Sequence, residues 1–259
     1  MIPAGVIYLD NNATTRPDPQ VVEAMLPYFN EYWGNASSVH RFGQLARKAV
    51  DEARASVAEL IGARESEVIF TGSGTESVNT AIRGLAAART PRRQIVTSTV
   101  EHSATGELCR QLTAEGFEVR TIGVDGKGRL NLEDLAAAIG EQTALVTLMW
   151  ANNETGVIFP IPTVGEMCRK AGVPIHVDGT QAVGKIDVDV AQGHVDAMSF
   201  AAHKFHGPKG VAALFCRRGL RLRPLLIGGP QERGRRGERK TCRGSSAWGK
   251  PRNWPNAAR

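Results

Sequence analysis

Short apolar runs alternate with longer amphipathic ones through the first 216 residues of the chain. Runs at Val68–Phe70, Gln94–Ser98, Glu118–Ile122, Ala144–Met149, Pro174–Val177, Ala197–Phe200 and Val211–Cys216 are rich in Val and Ile. Several lack in-out alternation, which predicts strands covered on both faces. Between them lie stretches with helical spacing. Pro19–Trp33 places Val22, Met25, Leu26 and Phe29 on one face, and Gln44–Ile61 does the same with Leu45, Val57, Leu60 and Ile61 before stopping at Gly62. Glu76–Ala88, Ala104–Glu115, Leu132–Ile139 and Thr163–Ala171 are further predicted helices. Repeated β–α alternation without an internal repeat predicts an α/β fold, a mostly parallel sheet with helices on both faces. After Ile227 the pattern collapses: residues 228–259 hold almost no aliphatic side chain and no period, and predict an irregular, disordered tail.

Composition and charge sharpen that division. At 259 residues with 42% apolar and 22% charged positions, the chain has the make-up of a globular protein with a sizeable core. The net charge of +6 conceals two unlike parts. Residues 1–216 carry 19 Lys/Arg against 24 Asp/Glu, a balance of −5, whereas residues 217–259 carry 13 against 2, a balance of +11. A mildly acidic body with a basic tail is not a uniformly basic nucleic-acid-binding surface; the tail's arginines can meet phosphates non-specifically, and nothing else in the chain supports recognition. No apolar run approaches the roughly 18 residues of a membrane span, and the start MIPAGVIYLDNNATT lacks the layout of a signal peptide, so a cytoplasmic protein without membrane contact is expected. Cys109, Cys168, Cys216 and Cys242 show neither CxxC nor zinc spacing, which argues against a disulfide framework or structural zinc.

Five polar stations fall at or near predicted strand ends, where open α/β sheets place their ligands. Thr71-Gly-Ser-Gly-Thr75 joins a strand to a helix; its glycines admit close backbone approach, and a helix start favours an anion. It equally suits a tight turn capped by Ser or Thr. His102 follows the Gln94–Ser98 strand, and Asn152-Asn153-Glu154 follows the most apolar strand; a structural histidine and an ordinary turn explain these as well. Asp178 stands at a strand end three residues before Gln181, as a partner for a protonated ring nitrogen or as a helix cap. Lys204 lies between His203 and the run Phe-His-Gly-Pro-Lys-Gly210, where a confined lysine can form a Schiff base and an exposed one does nothing. Taken together these groups are the set that pyridoxal phosphate requires: an anion cradle, an imidazole, an acid, an amide and an amine. A metal site from His176, Asp178, His203 and His206 is the competing assembly, and it leaves the glycine-rich turn unexplained.

The ordered runs Tyr8–Thr15, Gly34–His40, Phe70–Ser77, Glu101-His102, Asn152–Gly156, His176–Gln181 and Ala202–Gly210 resemble the cysteine desulfurases of nitrogen fixation and iron–sulfur cluster assembly, within the class-V aminotransferases. The resemblance runs from about Tyr8 to Gly237. It implies the large domain of a fold type I pyridoxal-phosphate enzyme over residues 1–227, a homodimer, and conversion of L-cysteine to L-alanine with sulfur passed to an enzyme persulfide and on to an iron–sulfur scaffold or other acceptor protein. It implies no resident metal. By the same resemblance Lys204 forms the Schiff base and moves protons, and His102 stacks on the ring and assists. Asp178 pairs with the ring nitrogen, Gln181 and Asn153 flank the phenolate oxygen, and Gly74, Thr75 and His203 hold the phosphate.

Three departures accompany it. Ala201 stands where many members have a phosphate-binding serine. The family's sulfur-accepting cysteine and the arginine for the substrate carboxylate belong to a downstream small domain with no counterpart in this sequence. Finally, Gln231–Gly237 follows the family pattern and Glu238 does not, so residues from about 238 read as the product of a shifted reading frame. The expectation is a desulfurase-type cofactor domain; an inactive or weakly active cofactor-binding fragment, and a different pyridoxal-phosphate aminotransferase or lyase, are the alternatives.

Overall fold

The computed structural model describes residues 5–238. Seven strands form one sheet: β1 (Val68–Thr71), β2 (Gln94–Ser98), β3 (Glu118–Ile122), β4 (Thr143–Met149), β5 (Ile175–Asp178), β6 (Ala197–Ala201) and β7 (Ala212–Cys216), in the order β1-β7-β6-β5-β4-β2-β3. Every pairing is parallel except those of β7, which lies antiparallel between β1 and β6. The predicted strands are all present, with shifts of one residue at several ends.

The unbroken apolar runs are explained by the two covered faces. Val68 and Phe70 of β1 join one core cluster while Ile69 joins the other; Val146 and Leu148 of β4 part from Leu145 in the same way. Helices α3 (Arg41–Leu60), α6 (Leu132–Ala138) and α7 (Ile161–Ala171) cover the first face. Helices α4 (Gly74–Ala88) and α5 (Ser103–Ala114) cover the second. Helix ends follow local chemistry: Ser73 accepts from the Glu76 amide at the start of α4, Asn131 caps α6, and α7 stops at the left-handed Gly172.

Two sequence expectations need correction. The stretch Pro19–Trp33 is two helices, α1 (Pro19–Met25) and α2 (Pro27–Asn30), because Pro27 has no N–H to continue the ladder. Its apolar face is not a core face here: Val22, Leu26 and Phe29 are exposed, and Val21 is the buried residue. The second correction concerns the tail. Residues 228–238, expected to be irregular and disordered, pack against the body. Gln231–Gly234 forms a single turn, with Glu232 and Arg233 in the left-handed region. Glu232 is buried, and both its oxygens accept from the Arg54 guanidinium at 2.8 Å. The same guanidinium lies 4.8 Å from the Phe70 ring centre and donates to the Val68 carbonyl. Ion pairs rather than apolar spacing hold this segment, which is why the hydrophobic pattern does not reveal it. Residues 239–259, including Cys242 and nearly all of the expected frame-shifted segment, lie outside the described residues. Among the described residues no helix is long and apolar enough to cross a membrane.

Candidate active site

Strands β1, β2, β4, β5 and β6 all point their C-terminal ends the same way, since β7 reverses between β1 and β6. A cavity of about 560 Å³ opens at that edge, a size suited to a cofactor or small substrate. Gly74, Thr75, His102, Asn153, Asp178, Gln181, His203 and Lys204, the eight residues singled out from the sequence, all line it.

At one side, helix α4 begins with Gly74 and Thr75, whose amides have no acceptor within the helix. A methyl group added at Gly74 would rest 3.5 Å from the Ala201 Cβ, in ordinary contact, so this glycine is not demanded by protein packing. His203 and Lys204 stand in a short 3-10 turn directly after β6. Lys204 donates from Nζ to the Asn12 carbonyl at 2.6 Å. Burial holds its pKa below the usual lysine range, against the opposing pull of Asp178 and Asp10. His203 is likewise shifted down, by burial first and then by Lys204 and Lys209, which favours its neutral imidazole. Its Nδ1 lies 3.1 Å from the Thr14 hydroxyl.

Across the cavity, Asp178 ends β5 and is 7% exposed, with Oδ1 accepting from the Thr180 amide at 3.0 Å. His102 caps α5, its Nδ1 accepting from the Ala104 amide at 3.1 Å, which leaves Nε2 to carry a proton. Gln181 donates to the same Asn12 carbonyl that Lys204 uses, at 3.0 Å, and accepts from Lys185. Asn12 in turn donates to the Asn153 carbonyl at 2.9 Å.

Residue-type reasoning does not single out Asn12, Asp10 and Ala13, which also line the cavity. The run Asp-Asn-Asn after an apolar stretch is the signal available, and it reads as a turn. Glu101 is a second omission. Its Oε1 accepts from the Ser98 hydroxyl and the Met149 amide, tying the ends of β2 and β4 together. Its Oε2 is buried without a hydrogen-bond partner, and burial pushes the carboxyl up to about 8. The acid is therefore mostly protonated at neutral pH.

The competing metal assembly is not brought together. His176 is buried with both ring nitrogens engaged, by the Thr147 and Ser199 hydroxyls at 2.9 Å each. Burial drops its pKa to about 3. No group of three or more His, Cys, Asp or Glu suited to a metal occurs among the described residues. Cys109, Cys168 and Cys216 are buried, none lines the cavity, and burial raises their thiols to about 11, 12 and 11. They are poor nucleophiles.

Comparison with known proteins places the chain in a family. A cysteine desulfurase of Trichormus azollae is 50% identical over 245 residues, covering 95% of this chain and 61% of the relative. The cysteine desulfurase NifS of Azotobacter vinelandii is 49% identical over 231 residues, covering 89% of this chain and 58% of the relative. The chain thus spans about three fifths of the length of these curated relatives. Among solved structures, a NifS-like protein superposes with a TM-score of 0.91 at 40% identity, covering 94% of this chain and 67% of that one. SspA in complex with cysteine superposes with a TM-score of 0.91 at 34% identity, covering 94% and 71%. These neighbours assign the sheet and its helices to fold type I. The aminotransferase class-V pattern matches residues 7–247, past the Gly237 at which the motif resemblance ends. The chain belongs to the aminotransferase class-V family, and the relatives it resembles there are cysteine desulfurases.

Proposed function

We propose that the cavity holds pyridoxal 5'-phosphate and that the chain is the cofactor domain of a cysteine desulfurase acting on L-cysteine. What supports this reading above all is the meeting of one half-buried lysine, one buried aspartate and one helix start in a single cavity. The donor set fits the group. Free amides at Gly74 and Thr75, the Thr75 hydroxyl and His203 suit a phosphate, and Asp178 suits a protonated pyridine nitrogen. When bound, pyridoxal phosphate supplies the electron sink that lets an amino acid lose a proton at its α-carbon.

Each residue then has a task. Lys204 offers an amine that burial keeps closer to its neutral, nucleophilic form, and Nζ afterwards takes and returns the substrate proton. Asp178, buried at the end of β5, would be the partner that keeps a proton on the ring nitrogen. His102, whose Nδ1 is taken by the Ala104 amide, would face the cofactor ring with Nε2 available for a proton, and Gln181 and Asn153 would supply the polar contacts for its phenolate oxygen. The net reaction is L-cysteine plus a thiol giving L-alanine plus a persulfide. No described cysteine reaches the cavity, so the accepting thiol comes from outside the described residues. The same reading carries with it a homodimer, an iron–sulfur scaffold or similar acceptor, and a cytoplasmic setting.

The test begins with purified protein loaded with the cofactor, reduced with borohydride and mapped by peptide mass. A pyridoxyl group on Lys204 is expected, and one on Lys185 or Lys209 would refute the assignment. Incubation with L-cysteine and dithiothreitol should yield alanine and sulfide in equal amounts. Keto-acid formation instead would identify an aminotransferase.

A further inference from the structure

The helix start that would take the phosphate carries a negative charge of its own. Glu76 lies in the first turn of α4, immediately after Thr75, and its Oε2 accepts from the Gly72 amide at 2.8 Å. An acidic side chain there spends the favourable end of the helix dipole and repels an incoming dianion. The structure places an opposite charge directly behind it. Arg236 donates from Nε to Glu76 Oε1 at 2.5 Å and from Nη2 to Oε2 at 3.2 Å, and both side chains are largely buried. Neither residue lines the cavity, whereas Ser73, Gly74 and Thr75 do.

We propose that Arg236 is a positioning residue for the anion-binding end of the cavity, neutralising Glu76 so that the Gly74 and Thr75 amides can donate to a phosphate dianion. The inference rests on the cofactor reading above. The fold delivers Arg236 with care. The Gly237 amide donates to the Leu226 carbonyl at 2.8 Å, and Gly228 and Gly237 approach so closely that a side chain on either would collide with the other's backbone. The buried Glu232–Arg54 pair fixes the middle of the same loop. One loop therefore presents an acid to Arg54 and a cation to Glu76.

A brace and a charge neutraliser predict different outcomes. Affinities for pyridoxal phosphate and for phosphate-free pyridoxal are measured by absorbance titration of the full chain, in wild type, Arg236→Gln, Arg236→Lys, Glu76→Gln and the Arg236→Gln/Glu76→Gln pair. Arg236→Gln should weaken the phosphate-bearing ligand about tenfold and leave pyridoxal within about twofold. Arg236→Lys should hold most of the wild-type preference, Glu76→Gln should keep or strengthen it, and the double variant should regain it. Competition by inorganic phosphate should follow the same order. A double variant as weak as Arg236→Gln, or equal loss of both ligands, would overturn the proposal in favour of a mechanical brace. An unchanged preference in Arg236→Gln would overturn it outright. A wild-type chain that takes up neither ligand would refute the cofactor reading itself, and the inference with it.

Discussion

Ala201 sits at the end of β6 on the wall of the cavity, facing the space left open by Gly74. A serine there would add a hydroxyl on the cavity wall beside the helix start. Ala201→Ser should tighten pyridoxal phosphate roughly tenfold, the worth of one charge-assisted hydrogen bond of about 1.5 kcal/mol, as read by equilibrium dialysis. His176 offers a different test, by pH. Its folded-state pKa of about 3 lies below the ordinary 6.5, so the unfolded chain binds the extra proton and stability is lost as pH falls through that window. The difference in unfolding free energy between wild type and His176→Gln should shrink by about 2 kcal/mol from pH 7 to pH 5. Glu101 acts with the opposite sign, since its raised pKa gives the folded state the extra proton from about 4.5 up to about 8. The variant difference, and not the overall slope, is therefore the readout. Site residues were legible where side-chain chemistry announces itself, as at Lys204 and Asp178. Asn12 was not, because it serves the lysine through its carbonyl, a group every residue possesses.

At the level of elements, strands buried on both faces are easy to read, because every position must be apolar whichever way it points. Strand direction is not written in such a run, and the reversal of β7 could not be drawn from Val211–Cys216. Nor does spacing alone decide which side of a short helix faces inward, as Val21 and Val22 show. The 231–237 loop escaped for a different reason: its attachment is electrostatic. That makes it sensitive to the loss of one partner. Glu232→Ala strands the Arg54 charge in a buried place and should cost about 3–5 kcal/mol in urea unfolding, whereas the Arg54→Met/Glu232→Leu pair should cost much less. Equal losses in the two variants would indicate that the left-handed turn, rather than the charges, carries the attachment.

For the molecule as a whole, the separation between cavity and thiols is the telling relation. Cys109 and Cys216 lie in the core cluster under α4 and α5, and Cys168 lies in the opposite cluster. Replacing all three by alanine should leave the rate of cysteine-dependent alanine formation within about twofold, provided an external thiol is present, because none of them lines the cavity. A large loss would place one of them on the sulfur route.

The order β1-β7-β6 has a further consequence, in time rather than in space. Among the described residues β1 pairs within the sheet with β7 alone, yet the ribosome makes Thr71 long before Ala212. At roughly 5–20 residues per second, β1 waits on the order of ten seconds with both edges unpaired, and Lys204 and Arg236 emerge at the close of the same interval. The site therefore cannot assemble piecemeal on the growing chain, and its arrival coincides with the insertion of the one strand that runs backwards.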